Sequence, residues 1–226
     1  MITCSCLRKV YGTDPGRCAL DGVDFHMDKG EFVTLRGPVG AGKTTLLRLI
    51  CGLTAPTSGE LTVYGLKLPA PGAQLAALRR KMGIIEQEPR LLEEASVYDN
   101  VALGLEVLGF RGAQLSQKTL RALRALGLEA LAQASPRSLS AGQRQKVSVA
   151  RALAGEPLIV LADEPCRHLD AEGASEVLAL LRWLNLQGST VLAMTGECWP
   201  LDVPARCLRL EAGRLLGEPR GAACAC

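Results

Sequence analysis

Residues 37 to 45 read Gly-Pro-Val-Gly-Ala-Gly-Lys-Thr-Thr, and no other stretch narrows the folds open to this chain so far. Gly37, four intervening residues, then Gly42, Lys43 and Thr44 is the spacing of a phosphate-binding loop. Glycines 37, 40 and 42 permit a backbone tight enough to turn several amide N–H groups toward one anion. Lys43 sets a full positive charge against the terminal phosphates, and Thr44 offers a hydroxyl oxygen of the kind Mg²⁺ prefers. Pro38, Val39, Ala41 and Thr45 complete the nucleotide-contacting run. The flanks suit it: Glu31 to Arg36 reads as a strand, and Thr44 to Cys51 has helical apolar spacing that stops at Gly52. That order aims a helix N-terminus at the phosphates.

With 226 residues the chain has room for one sizeable core with an inserted lobe, but not for two nucleotide domains. A net charge of +3, from 26 basic and 23 acidic residues, leaves no electrostatic footprint for nucleic acid. No run of about 18 uncharged apolar residues is present, and the first residues lack the basic-then-apolar order of a signal peptide. A cytoplasmic protein is expected. Nine cysteines at irregular spacing argue for reduced thiols rather than a disulfide framework.

The expected strands are Ile2 to Val10, Ala19 to Met27, the run before the loop, and a pair over residues 59 to 65. Helical spacing then dominates: Leu75 to Lys81, Val97 to Leu108, Ser116 to Leu126 and Ala141 to Leu153. Strands return at Leu158 to Ala162 and Ser189 to Met194, with a helix from Ala171 to Leu186 between them. Unbroken apolar strands in strand, helix, strand order imply a parallel sheet covered on both faces. Residues 206 to 216 predict a terminal hairpin, and the tail from 218 to 226 is expected to be flexible.

Two further segments carry chemistry. Leu158-Ile-Val-Leu-Ala-Asp163-Glu164 is an apolar strand ending in adjacent carboxylates, whose side chains strand alternation would send different ways. Asp163 then suits a Mg²⁺ shell and Glu164 the water that attacks a γ-phosphate. About twenty residues earlier, Leu139-Ser140-Ala141-Gly142-Gln143 opens a basic helix. This resembles the signature segment of ABC ATPases, with Ala141 where the family has its first glycine.

The resemblance runs from about Cys4 to Gly217. It implies a P-loop, RecA-like α/β core with a small antiparallel β subdomain and an inserted α-helical subdomain. Residues 1 to 217 would form one domain: 1 to 88 and 154 to 217 the nucleotide-binding core with the β subdomain, 89 to 153 the helical subdomain. It also implies ATP and Mg²⁺ as cofactors and a homodimer with ATP sandwiched between subunits. Tyr11 falls where the family stacks an aromatic on adenine, Gln87 where a glutamine contacts Mg²⁺ and supports catalysis, and Asp170 in the loop after the two acids. Ser140, Ala141, Gly142 and Gln143 would reach the γ-phosphate held by the other protomer.

Within the family, Met82 to Leu92, Ser96 to Leu103 and Phe25-His26-Met27 resemble the FtsE-type cell-division ATPases. That implies an integral membrane partner of FtsX type and attachment to the cytoplasmic face of the inner membrane through it. The alternatives are the ATPase subunit of a lipoprotein-release or macrolide-type exporter, and a weakly hydrolysing ATP-dependent scaffold or switch. Two more departures stand out. Cys166-Arg167-His168 replaces the usual Thr-Gly-Asn, and Gly196 stands where the family has its switch histidine. If that missing contact acts on the transition state, turnover falls by about 10²- to 10³-fold.

Overall fold

The computed structural model describes residues 1–12, 18–196 and 206–216. They fall into two compact units, one taking in Met1–Arg79 and the chain from Thr190 onward, the other Arg80–Ser189.

The first unit begins with β1 (Ile2–Val10) and β2 (Cys18–Met27), paired antiparallel, with β4 (Ser58–Val63) and β5 (Leu66–Leu68) extending the sheet in the order β2-β1-β4-β5. Tyr64 and Gly65, both at positive φ, make the two-residue turn between β4 and β5. Two positive φ values in so short a loop match the right-handed twist of the strands they join. Alternation along β1 buries Ile2 and Cys4, and an irregularity in the pairing before Leu7 turns that side chain inward as well. A second layer holds β3 (Phe32–Arg36) between β8 (Thr190–Thr195) and β9 (Arg206–Glu211), parallel to both, with β10 (Arg214–Leu216) closing an antiparallel hairpin. Every residue of β8 is buried, as a parallel strand covered on both faces requires. Helix α1 (Lys43–Ile50) follows the loop and buries Leu46, Leu47, Leu49 and Ile50. Each such side chain contributes about 1.5–3 kcal/mol by leaving water. Helix α2 (Gly72–Arg79) ends with Arg79 donating to the carbonyls of Cys51 and Gly52, both at 2.9 Å, which fixes the end of α1.

The second unit carries the parallel pair β6 (Met82–Ile85) and β7 (Ile159–Asp163) with α3 (Val97–Val107), α4 (Gly112–Arg124), α5 (Ala141–Leu153) and α6 (Ala171–Leu186). Three of these helices start on side-chain caps legible in the sequence. Ser96 with Asp99 and Ser140 with Gln143 form capping boxes, and Asp170 accepts from the Gly173 N–H. The sequence division at residues 89 and 153 and the structural one at 80 and 190 differ because β6, β7 and α6 group with the helices α3 to α5. Gly83 shows how tightly: a Cβ there would lie 2.4 Å from the Ala152 carbonyl oxygen.

Strand and helix positions agree with the sequence reading to within a few residues, and α4 begins four residues earlier than its apolar spacing suggested. The expected turn over 12 to 16 and the tail from 218 lie largely or wholly outside the described residues. One expectation needs correction. Cys4, Cys6, Cys18, Cys51 and Cys166 are free thiols, but Cys207 is disulfide-bonded. Odd number and irregular spacing argue against a framework of bridges, but do not exclude a single one. Among the described residues no helix is long and apolar enough to cross a membrane.

Candidate active site

The phosphate loop lies wholly in the first unit, and its conformation follows from its glycines. Gly40 has φ +83° and Gly42 φ +107°. A Cβ on Gly42 would lie 2.3 Å from the Ala19 carbonyl oxygen, and one on Gly37 would lie 2.2 Å from that of Leu210. Gly37 is therefore required by packing and Gly42 by packing and conformation together, whereas a Cβ on Gly40 would face open space. The loop is framed by backbone bonds: the Gly37 N–H donates to the Thr195 carbonyl at 3.2 Å, and the Gly213 N–H to that of Ala41 at 3.1 Å.

Lys43 is 7% exposed, its ammonium donating to the Gly37 carbonyl at 2.6 Å and, more weakly, to that of Pro38 at 3.3 Å. A buried ammonium beside the phosphate-loop carbonyls is chemically suited to phosphate oxygens. The N-terminus of α1 has no side-chain cap hydrogen bond and no acidic residue in its first turn, which suits it to an anion. Pro38, Val39 and Gly40 are exposed, Ala41 is buried, and Thr44 and Thr45 are half-buried at the start of α1. Tyr11, just past β1, is half-exposed with the Lys9 ammonium 5.1 Å from its ring centroid, and Lys9 is itself anchored on the Ala55 carbonyl at 2.8 Å. Gly196 follows β8 directly, one residue from the carbonyl that Gly37 bonds, and is exposed.

The carboxylates and the signature segment belong to the second unit. Asp163 ends β7 and is 2% exposed. Glu164 is already off the strand, at φ +49°. Glu164 thus leaves the strand through a left-handed turn, so the strand alternation expected from the sequence stops at Asp163. A non-glycine residue there stores about 1–2 kcal/mol, and a following proline adds to the restriction. The Arg167 N–H closes the turn on the Glu164 carbonyl at 3.0 Å. His168 sits at φ +64°, a conformation that asparagine and histidine tolerate better than most, which accounts for histidine replacing asparagine at that place.

Ser140 accepts from the Gln143 N–H at 3.2 Å while its own N–H donates to Gln143 Oε1 at 2.9 Å. Ser140 and Ala141 are exposed at this end of α5. Ala141 is the first helical residue and has no positive φ, so its methyl introduces no backbone strain. The glycine that matters is the next one, since a Cβ on Gly142 would lie 2.9 Å from the His168 carbonyl oxygen. Asp170 is exposed, with Oδ1 taking the Gly173 N–H at 2.8 Å.

Gln87 is half-buried just past β6, in a segment held by arginines that the sequence reading did not single out. Arg151 donates to the Arg90 carbonyl at 2.7 Å, Arg167 pairs with Glu88 at 3.3 Å, and Arg144 pairs with Glu93 at 2.5 Å. Burial holds the Arg151 guanidinium below its ordinary pKa, with Glu86 offsetting part of that, while the hydrogen bond from Arg144 pulls Glu93 below the usual carboxylate range. The basic composition of α5 was visible in the sequence; the partners of Arg144 and Arg151, more than fifty residues away, were not.

The structure thus brings Gly37 to Thr45 together with the approach to Gly196 in one unit, and Gln87, Ser140 to Gln143, Asp163, Glu164 and Asp170 in the other. A family model described as ABC transporter matches residues 20–167. The chain belongs to the ABC transporter family. It is an ATP-binding ATPase. It is 39% identical to the cell division ATP-binding protein FtsE of Mycobacterium tuberculosis, over 98% of this chain and 97% of that protein. The Escherichia coli FtsE is 41% identical over 89% and 92%. The methionine import ATP-binding protein MetN of Streptomyces coelicolor is 45% identical over 87% of this chain, which spans 59% of that longer protein. Among solved structures, a dimeric bacterial ABC transporter cassette superposes with a TM-score of 0.90 at 33% identity, covering 98% of this chain and all of the other. A dimeric post-hydrolysis cassette bound to ADP and Pi gives 0.86 at 32%.

Thr44 in the first unit, and Gln87 and Asp163 in the second, each carry a hard oxygen of the kind Mg²⁺ takes.

Proposed function

We propose that the chain is a slow, nucleotide-timed ATPase subunit of an FtsE-type complex, working as a homodimer with an integral membrane partner of FtsX type. The observation that carries the slow turnover is Gly196: the position next to the carbonyl that frames the phosphate loop offers no side chain. In this reading Lys43 and the N-terminus of α1 hold the β and γ phosphates, Tyr11 stacks on adenine, and Thr44, Gln87 and Asp163 hold Mg²⁺. The metal neutralises charge on the transferred group when bound. Glu164 orients water and accepts its proton as the oxygen attacks phosphorus and the bond to the β-phosphate oxygen breaks. Ser140 and the amides at the start of α5 complete the site on a second copy, a task suited to a helix N-terminus.

The FtsE reading is supported by a match spanning nearly the whole of both chains. The MetN relatives, at 44–45% identity, favour a methionine-import complex as the second reading. Affinity capture from detergent-solubilised membranes separates them. Recovery of an FtsX-like protein is expected, and recovery of an import permease instead would overturn the cell-division assignment.

A further inference from the structure

The turn bearing Glu164 is strained, so something must hold it. The face of α5 toward it presents Gly142, Gln145 and Lys146, three and four residues apart and hence neighbours on one side of the helix. Gly142 meets the His168 carbonyl with no room for a side chain, and Lys146 pairs with Glu176 of α6 at 2.6 Å. Between these contacts Gln145 is 0% exposed, and its Nε2 donates to the carbonyl of Pro165, the residue after Glu164, at 3.1 Å. Pro165 is buried as well.

Gln145 is a poor choice if its task were only to fill space. Its Oε1 has no hydrogen-bond partner among the described residues. A buried acceptor left that way costs stability, and an apolar side chain of the same length would avoid the cost. What glutamine alone supplies is a donor on the Pro165 carbonyl, one residue from the strained φ of Glu164.

We infer that Gln145 is a positioning residue: it ties the signature helix to the Glu164 turn, so that the geometry of the attacking water depends on the helix that opens with Ser140. This rests on the reading of Glu164 given above. A displacement of about 1 Å at a reacting group costs up to about 10²-fold in rate. Releasing the Pro165 carbonyl should therefore lower kcat while leaving untouched the ATP affinity that this reading assigns to the phosphate loop, Lys43 and Tyr11.

The test is single-turnover ATP hydrolysis by Gln145→Met and Gln145→Glu beside wild type and Glu164→Gln, with ATP affinity and thermal midpoint measured on each. Methionine keeps the length without the donor. The expected result for Gln145→Met is a kcat about 10- to 100-fold lower, unchanged ATP affinity and a midpoint equal to or above wild type. Gln145→Glu, which loses the amide donor and when ionised sets a carboxylate against the Pro165 carbonyl, should lose as much rate or more. A Gln145→Met rate equal to wild type, or parallel losses of rate, affinity and midpoint, would overturn the inference while leaving Glu164 in its role. Wild type no faster than Glu164→Gln would overturn both.

Discussion

Replacing Gly42 and Gly40 separately by alanine distinguishes a glycine needed for packing from one needed only for its conformation. At Gly40 a Cβ meets nothing within 4 Å, so Gly40→Ala incurs only the strain of φ +83°. That is about 1–2 kcal/mol, or roughly 5- to 30-fold in an equilibrium constant. At Gly42 the strain of φ +107° is joined by a Cβ 2.3 Å from the Ala19 carbonyl oxygen and 2.9 Å from Leu20 Cδ2. Ala19 belongs to β2, which is paired with β1, so the carbonyl cannot retreat and the loop must. Ordinary contact begins at 3.4 Å, which demands a shift of about 1.1 Å at the residue before Lys43. A misplacement of that size costs about 10²-fold. Titration with a fluorescent ATP analogue should show Gly40→Ala weakened by roughly 5- to 30-fold and Gly42→Ala by about 100-fold or more, with both proteins still folded by thermal unfolding. Gly42→Ala binding as well as Gly40→Ala would refute the reasoning.

Two predictions concern the second unit. Asn100 is fully buried; its Oδ1 accepts from the Leu92 N–H at 2.8 Å and its Nδ2 donates to the carbonyls of Leu92 and Ser96, both at 3.0 Å. Asn100→Ala strands these groups and should cost about 3 kcal/mol in urea unfolding, and a loss below about 1 kcal/mol would contradict the assignment. Glu93 is held below its ordinary pKa by Arg144, so its contribution is present above the unfolded value of about 4.3 and is lost as pH falls through the lower folded value. Glu93→Gln should therefore unfold at a lower temperature than wild type at pH 7, with the difference closing at pH values below about 4.

Much of this was legible because the relevant signals are local. Helices α5 and α6 begin where Ser140-x-x-Gln143 and Asp170 say they should, since a cap is encoded within four residues of the end it stabilises. The phosphate loop declares itself for the same reason: nine consecutive residues carry its geometry. What escaped are contacts between distant positions. Nothing near Gln145 announces that its amide meets Pro165, nor near Arg144 that it meets Glu93. The left-handed turn at Glu164 was hidden because the apolar run before it reads as a strand that could continue, and only the packing against α5 shows why it does not. Ala141 illustrates the converse. Read alone it is a missing glycine, but at the first position of a helix a methyl strains nothing, while Gly142 beside it has no room for one.

The central claim is that the ATP site is intact for binding and slow in turnover because Gly196 supplies no side chain. Steady-state phosphate release by wild type, Glu164→Gln and Gly196→His measures it directly. The account predicts that wild type exceeds Glu164→Gln, and that Gly196→His recovers at least about tenfold of a deficit of roughly 10²- to 10³-fold. Wild-type turnover near the enzyme median of about 10 s⁻¹, unchanged by Gly196→His, would contradict it.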